Sequence, residues 1–156
     1  MYVLNWIINS LLKNILVVCA GNICRSPMAE GLFKKALNGA GKPDFIVSSA
    51  GLVALVGHSP DQKACQLMVK KGIDISGHRA RQLTQKIICG SELILVMEWS
   101  QKIVIEENEP TARGKIFRLG EWGKFDIADP YQKEIHFFEK TLSLIEQGIT
   151  QWVAKL

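Results

Sequence analysis

The chain has 156 residues, 47% hydrophobic and 22% charged, with a formal net charge of +4. One domain of that length buries roughly 70% of the surface its unfolded chain exposes, and this balance of apolar and charged residues argues against disorder and against a fibrous role. The mild positive charge suits an anionic substrate, but there are no basic runs with interleaved aromatics of the kind that bind nucleic acid.

The opening MYVLNWIINSLLKN lacks a basic leader and a small-residue cleavage site. Asn5, Asn9 and Ser10 interrupt its apolar run, so it reads as neither a secretion signal nor a transmembrane segment. Leu4, Ile7, Ile8, Leu11 and Leu12 would share one face of a short helix. Residues 1–13 therefore read as an extension that packs on its own domain or on a second copy, with weak membrane-surface contact as the lesser reading.

Asn14 to Val18 is a short apolar run, the mark of a strand buried on both faces. After a loop, Ser26 and Pro27 predict a helix N-cap and first helical residue, with Glu30 in the first turn; the helix runs to about Asn38 and closes in NGAGKP. Then come a strand at Phe45 to Ser48, a helix at Asp61 to Lys71 ended by Gly72, and a buried strand at Glu92 to Met97. A helix at Trp99 to Asn108, a strand at Lys115 to Arg118 and a long helix from Tyr131 to Ala154 complete the chain. Strands alternating with helices imply an α/β fold: a doubly wound parallel sheet with helices on both faces, one domain over 14–156. Ligands of such sheets sit at the carboxyl ends of the strands. Trp99, Trp122 and Trp152 are assigned to packing.

The four cysteines, Cys19, Cys24, Cys65 and Cys89, are too few and scattered for a disulfide scaffold, which points to a reducing, cytoplasmic setting. Structural metal is not expected either, since no cysteine or histidine pair stands at ligand spacing and His58, His78 and His136 are isolated. The loop between the first strand and helix is the informative segment. Ala20, Gly21, Asn22, Ile23, Cys24 and Arg25 would turn backbone N–H groups inward at a helix N-terminus, forming an anion-binding nest. Gly21 permits close approach and unusual dihedrals, Asn22 tolerates a left-handed backbone, and the Arg25 guanidinium can fork onto two oxyanion atoms. There is no GK[ST] ending and no GxGxxG, so the loop is not a nucleotide site. Cys19, at a helix N-terminus beside an arginine, is biased toward the thiolate and reads as an activated nucleophile.

The pattern C-x5-R-S at Cys19 to Ser26 resembles the low-molecular-weight protein tyrosine phosphatases. The likeness extends to SSAG at Ser48 to Gly51, GHRARQL at Gly77 to Leu83 and ADPY at Ala128 to Tyr131, in the family's order and spacing. It implies a four-stranded parallel sheet, no metal or organic cofactor, and hydrolysis of phosphotyrosine in two steps through a phosphocysteine. In those steps Cys19 attacks, Arg25 holds the phosphate, Asp129 serves as general acid and then base, and Ser26 stabilises the Cys19 thiolate. Asn22, Ser49 and His78 resemble the network that supports the loop, and Cys24 resembles the adjacent cysteine that forms a reversible disulfide. Animal members carry an aromatic residue after the second strand and a tyrosine pair after Asp-Pro. Here the corresponding substrate walls read as Leu52 and Tyr131, the latter followed by Gln132.

Together with GLVALVGHSPD and LILVMEWS, these residues look like the bacterial Wzb-type phosphatases. Their implied partner is the tyrosine-phosphorylated tail of a membrane autokinase of capsule or exopolysaccharide export, met by a phosphatase expected to be a monomer. The cations of the first helix and of Arg79 to Arg81 either favour an acidic phosphopeptide or form a solvated face. Arsenate reductase on the same scaffold is the alternative enzyme, although Cys65 and Cys89 lack the spacing of a relay. A phosphotyrosine-binding or phosphocysteine carrier module would use the cradle without needing Asp129.

Overall fold

The computed structural model describes residues 12–156; the expected amphipathic face at Leu4 to Leu11 lies outside them. The elements are β1 (Asn14–Cys19), α1 (Arg25–Gly39), β2 (Ile46–Gly51), α2 (Gln62–Lys70), α3 (Gln85–Cys89), β3 (Leu93–Val96), α4 (Trp99–Asn108), β4 (Ile116–Arg118) and α5 (Ile135–Val153), with a 3-10 turn at Pro110–Ala112 before β4. All strands are parallel in the order β2-β1-β3-β4. The chain winds outward from β1 in both directions, so its carboxyl end stands at the switch point where such sheets bind ligands.

The continuous apolar run of β1 follows from its position. Ile15, Val17 and Cys19 join a core under α1, α2 and α5, with Met28, Phe33, Met68, Phe138 and Ile145, while Leu16 and Val18 face the other way, toward Ile88, Ile105 and Ile116. A strand with helices on both faces has no polar side. Gly148 lets α5 lie close, because a Cβ there would stand 2.7 Å from the Leu119 carbonyl oxygen. Trp152 is buried and donates its indole N–H to that same carbonyl at 3.1 Å, with Trp122 edge-on against its ring. No described helix is long and apolar enough to cross a membrane.

Two helix starts and one whole helix differ from expectation. The first helix begins at Arg25 with Cys24 as its N-cap and no side-chain capping bond. Ser26 is thus already helical, and its hydroxyl is drawn instead to Cys19 and Asn22. Glu30 consequently lies beyond the first turn, 3.7 Å from Lys34 one turn on. The last helix starts at Ile135, because Gln132 takes a left-handed φ of 62° and the Lys133 N–H closes a turn on the Pro130 carbonyl. The short helix α3 was not anticipated; Thr84 caps it through the Ile87 N–H, a signal spread over too few residues for periodicity to register.

Candidate active site

Four loops converge at the carboxyl edge of the sheet. The first, Ala20 to Cys24, leaves β1 and enters α1, and its shape is fixed by Asn22. That residue alone in the loop is left-handed, with φ of 58°, whereas Gly21 has no positive φ and a Cβ on it would make only ordinary contacts with Ile23 and Leu55. The Asn22 amide is wholly buried. It donates to Ser26 Oγ at 2.8 Å and Ser49 Oγ at 3.0 Å and accepts from the Arg81 N–H at 3.0 Å, while the Asn22 carbonyl accepts from His78 Nε2 at 2.9 Å. A carbonyl cannot donate, so His78 carries its proton on Nε2 and serves as a strut. Each such buried group left unpaired would cost about 1–3 kcal/mol, which is how the loop holds a backbone conformation that a β-carbon disfavours.

Arg79 and Arg81, expected on a peptide-facing or solvated face, are both exposed. Arg81 Nε also donates to the Ser49 carbonyl on β2 at 2.8 Å, and Arg79 bonds the carbonyls of Ser76 and His78 in its own segment.

Cys19 is 2% exposed, its sulfur 2.9 Å from the Ser26 hydroxyl and 3.3 Å from the Asn22 N–H. The sulfur is thus held between a hydroxyl and a backbone N–H. Cys24 lies on the same cavity but in a different environment: burial pushes its thiol well above the ordinary range, with Asp61, Asp129 and Cys19 adding to the rise and Arg25 opposing it. Of the two thiols on the loop, Cys24 is therefore held neutral.

Arg25, 2% exposed, is gripped by groups that sequence reasoning missed. One guanidinium nitrogen, Nη1, donates to Glu98 and to the Ile127 carbonyl, the latter at 2.8 Å. Nη2 stands 3.3 Å from Asp129 Oδ2, and the buried Nε has no hydrogen-bond partner among the described residues. The guanidinium is thus anchored at one corner, leaving Nε and Nη2 to fork onto an oxyanion. The signal for Glu98 was present, since it is a carboxylate directly after the buried run of β3, where the sheet delivers its functional groups.

Asp129 sits on the loop after β4, where Oδ1 accepts the Tyr131 N–H at 3.1 Å. It shares with Cys19, Ala20, Gly21, Ile23, Cys24, Val53, Leu55 and Tyr131 a cavity of about 200 Å³. Leu52 does not line it. The Leu52 N–H continues the ladder onto the Cys19 carbonyl, and its side chain packs on the opposite core with Leu83 and Ile87, whereas Leu55, bonded through its N–H to the Gly21 carbonyl, reaches the cavity. The substrate-facing leucine is three residues further on than expected because β2 runs to Gly51 and the chain stays against the β1 loop. Gly51 makes that approach possible, as a Cβ would fall 2.6 Å from the Ala20 carbonyl oxygen.

The loops are also tied to α2. Its N-cap, Asp61, donates its N–H to the Ile23 carbonyl at 2.8 Å, and Lys63 Nζ donates to the Lys133 carbonyl at 2.6 Å. Cys65 and Cys89 are free thiols that do not line the cavity.

A buried thiol under a nest, a forked guanidinium and a carboxyl at the rim of a narrow apolar cleft form an arrangement suited to moving a phosphoryl group. Known proteins resemble the chain along most of its length. Residues 14–156 match the family model described as low molecular weight phosphotyrosine protein phosphatase. The probable low molecular weight protein-tyrosine-phosphatase EpsP of Ralstonia nicotianae is 47% identical over 94% of this chain and 97% of its own. The low molecular weight protein-tyrosine-phosphatase Wzb of Escherichia coli K12 is 38% identical over 94% of this chain and 97% of its own. Among solved structures, Vibrio vulnificus Wzb in complex with benzylphosphonate superposes with a TM-score of 0.87 at 36% identity, covering 93% of this chain and 99% of that one. The chain belongs to the low molecular weight protein-tyrosine phosphatases, alongside the Wzb-type bacterial enzymes.

Proposed function

We propose that this phosphatase hydrolyses phosphotyrosine by two displacements at phosphorus. In the first, the Cys19 thiolate attacks as the Arg25 fork and the loop N–H groups hold the phosphoryl oxygens, and Asp129 protonates the departing phenolate. In the second, Asp129 takes a proton from water, which attacks the phosphocysteine and releases phosphate and the thiolate. Ser26 donates to the sulfur whenever it is anionic. The observation that carries this reading is that Cys19, Asp129 and Tyr131 line one narrow cavity, and that Asp129 approaches an Arg25 guanidinium already oriented by Glu98 and Ile127.

Ile23, Val53, Leu55 and Tyr131 give that cavity apolar walls that fit a phenyl ring above the anion. Benzylphosphonate, bound by the Vibrio relative, has this same make-up of a ring beside a tetrahedral anion. In metal-free buffer with chelator, the protein is expected to hydrolyse p-nitrophenyl phosphate and a phosphotyrosine peptide. Tight phosphate binding with no turnover would make the cradle a reader or a carrier.

The physiological substrate in this proposal is the phosphorylated tail of a membrane tyrosine autokinase of capsule or exopolysaccharide export, met in the cytoplasm. The resemblance to the Wzb-type branch supports it. Cys24, on the same loop as Cys19, is the proposed partner for a reversible disulfide that shields the nucleophile from irreversible oxidation. After brief peroxide treatment, thiol reductant should restore the wild type and fail to restore Cys24→Ser; equal recovery of the two would remove Cys24 from that role.

A further inference from the structure

Leu52, displaced from the phosphate cavity, opens instead onto a second groove of about 440 Å³ beside it. The groove lies between the segment after β2, the start of α3 and the outer face of α4. Leu52, Leu83, Ile88, Val104 and Ile105 supply apolar lining, and Gln85 and Asn108 stand at its polar margin. Among the described residues that line it, Glu109 is the single charged side chain. One wall is braced: the Gln82 amide accepts the Ala54 N–H at 3.0 Å and donates to the Leu52 carbonyl at 2.7 Å, and the Leu83 N–H donates to the Gly51 carbonyl at 2.8 Å. Val53 is common to this groove and to the cavity holding Cys19, and it is 78% exposed, so the two depressions are neighbours across one side chain.

Resting on the phosphatase reading above, we infer that this groove receives an apolar or aromatic side chain of the phosphoprotein substrate, from a residue close to the phosphotyrosine. A polypeptide whose phosphotyrosine enters the catalytic cavity passes over Val53, and an extended chain covers roughly 10 Å in three residues, enough to bring a neighbouring side chain into the groove. The lining selects its chemistry. A leucine side chain or a tyrosine ring leaves water for an apolar surface, whereas an acidic side chain meets Glu109 and no countercharge on the lining. The phosphate anchors the substrate, and the groove reads its neighbour.

The test compares two synthetic phosphotyrosine peptides, identical except for leucine or serine at the three positions on either side, with p-nitrophenyl phosphate as a substrate too small to reach the groove. The variants are Val104→Glu, on the exposed face of α4, and Gln85→Glu, at the first residue of α3, where a negative charge suits the helix start. The wild type should favour the leucine peptide in kcat/KM by about tenfold, mainly through KM. Each variant should cut that preference to about twofold while cleaving p-nitrophenyl phosphate at the wild-type rate.

Equal use of the two peptides by the wild type, or a parallel loss on p-nitrophenyl phosphate in both variants, overturns the inference and leaves the phosphatase reading intact. A wild-type dimer that Gln85→Glu dissociates, with no peptide preference, would make the groove a contact between copies and overturn it equally. No hydrolysis of p-nitrophenyl phosphate by the wild type would sink the phosphatase reading first and this inference with it.

Discussion

Cys19→Ser should abolish turnover, lowering kcat by roughly 10⁴-fold or more on any phosphoester, while the folded protein still binds phosphate. A hydroxyl in place of the thiol is nearly isosteric, and the Ser26 hydroxyl and Asn22 N–H that face the sulfur at 2.9 and 3.3 Å can still find an oxygen. The substitution therefore removes nucleophilicity and little else. A serine hydroxyl is a far weaker acid than a thiol, so these same neighbours do not generate an alkoxide at neutral pH. Stopped-time phosphate release with wild type and variant at equal concentration measures the effect, and phosphate protection against thermal unfolding checks that the cradle survives. Residual turnover within about tenfold of wild type would mean that Cys19 is not the attacking group.

Asp129→Asn should slow a phosphotyrosine peptide by about 10²- to 10⁴-fold and p-nitrophenyl phosphate appreciably less. The difference follows from the leaving groups. Tyrosine's phenol has a pKa of about 10, so its departure needs a proton, while nitrophenolate is stable enough to leave with less help. Asparagine keeps the shape and can still accept the Tyr131 N–H that positions the loop, so the variant isolates proton transfer. Rates across a series of substituted phenyl phosphates should become steeper in leaving-group acidity than for wild type. An equal loss on every substrate would reassign Asp129 to positioning Arg25, which it approaches at 3.3 Å.

Much of the fold was legible because β1 and β3 are short apolar runs and α5 carries a periodic apolar face. The catalytic loop was legible as well, since its residues are consecutive. What escaped was set by register and by three-dimensional convergence. Leu55 takes the place expected of Leu52 because the end of β2 decides which leucine turns inward, and three residues of extra strand and ladder are invisible to a local pattern. Ser26 has the residue type of a cap, and only the proximity of Cys19 and Asn22, which act on it from within the loop, shows that its hydroxyl is taken. Glu98 and the Ile127 carbonyl come from the segments that follow two different strands to one guanidinium. Arg81 is exposed as a surface cation would be, and only the fold shows that its backbone N–H and its side chain also bond Asn22 and Ser49.

The attachment of α2 to two loops at once bears on how the site meets its substrate. Through the Asp61 N–H on Ile23 and the Lys63 ammonium on Lys133, one helix end holds both the loop of the nucleophile and the loop of the acid. The two reacting groups thus share a common rigid reference before any anion arrives. Little backbone freedom remains to be lost on binding, and the entropic penalty that a floppy acid loop would impose at each encounter falls instead on folding, once per molecule.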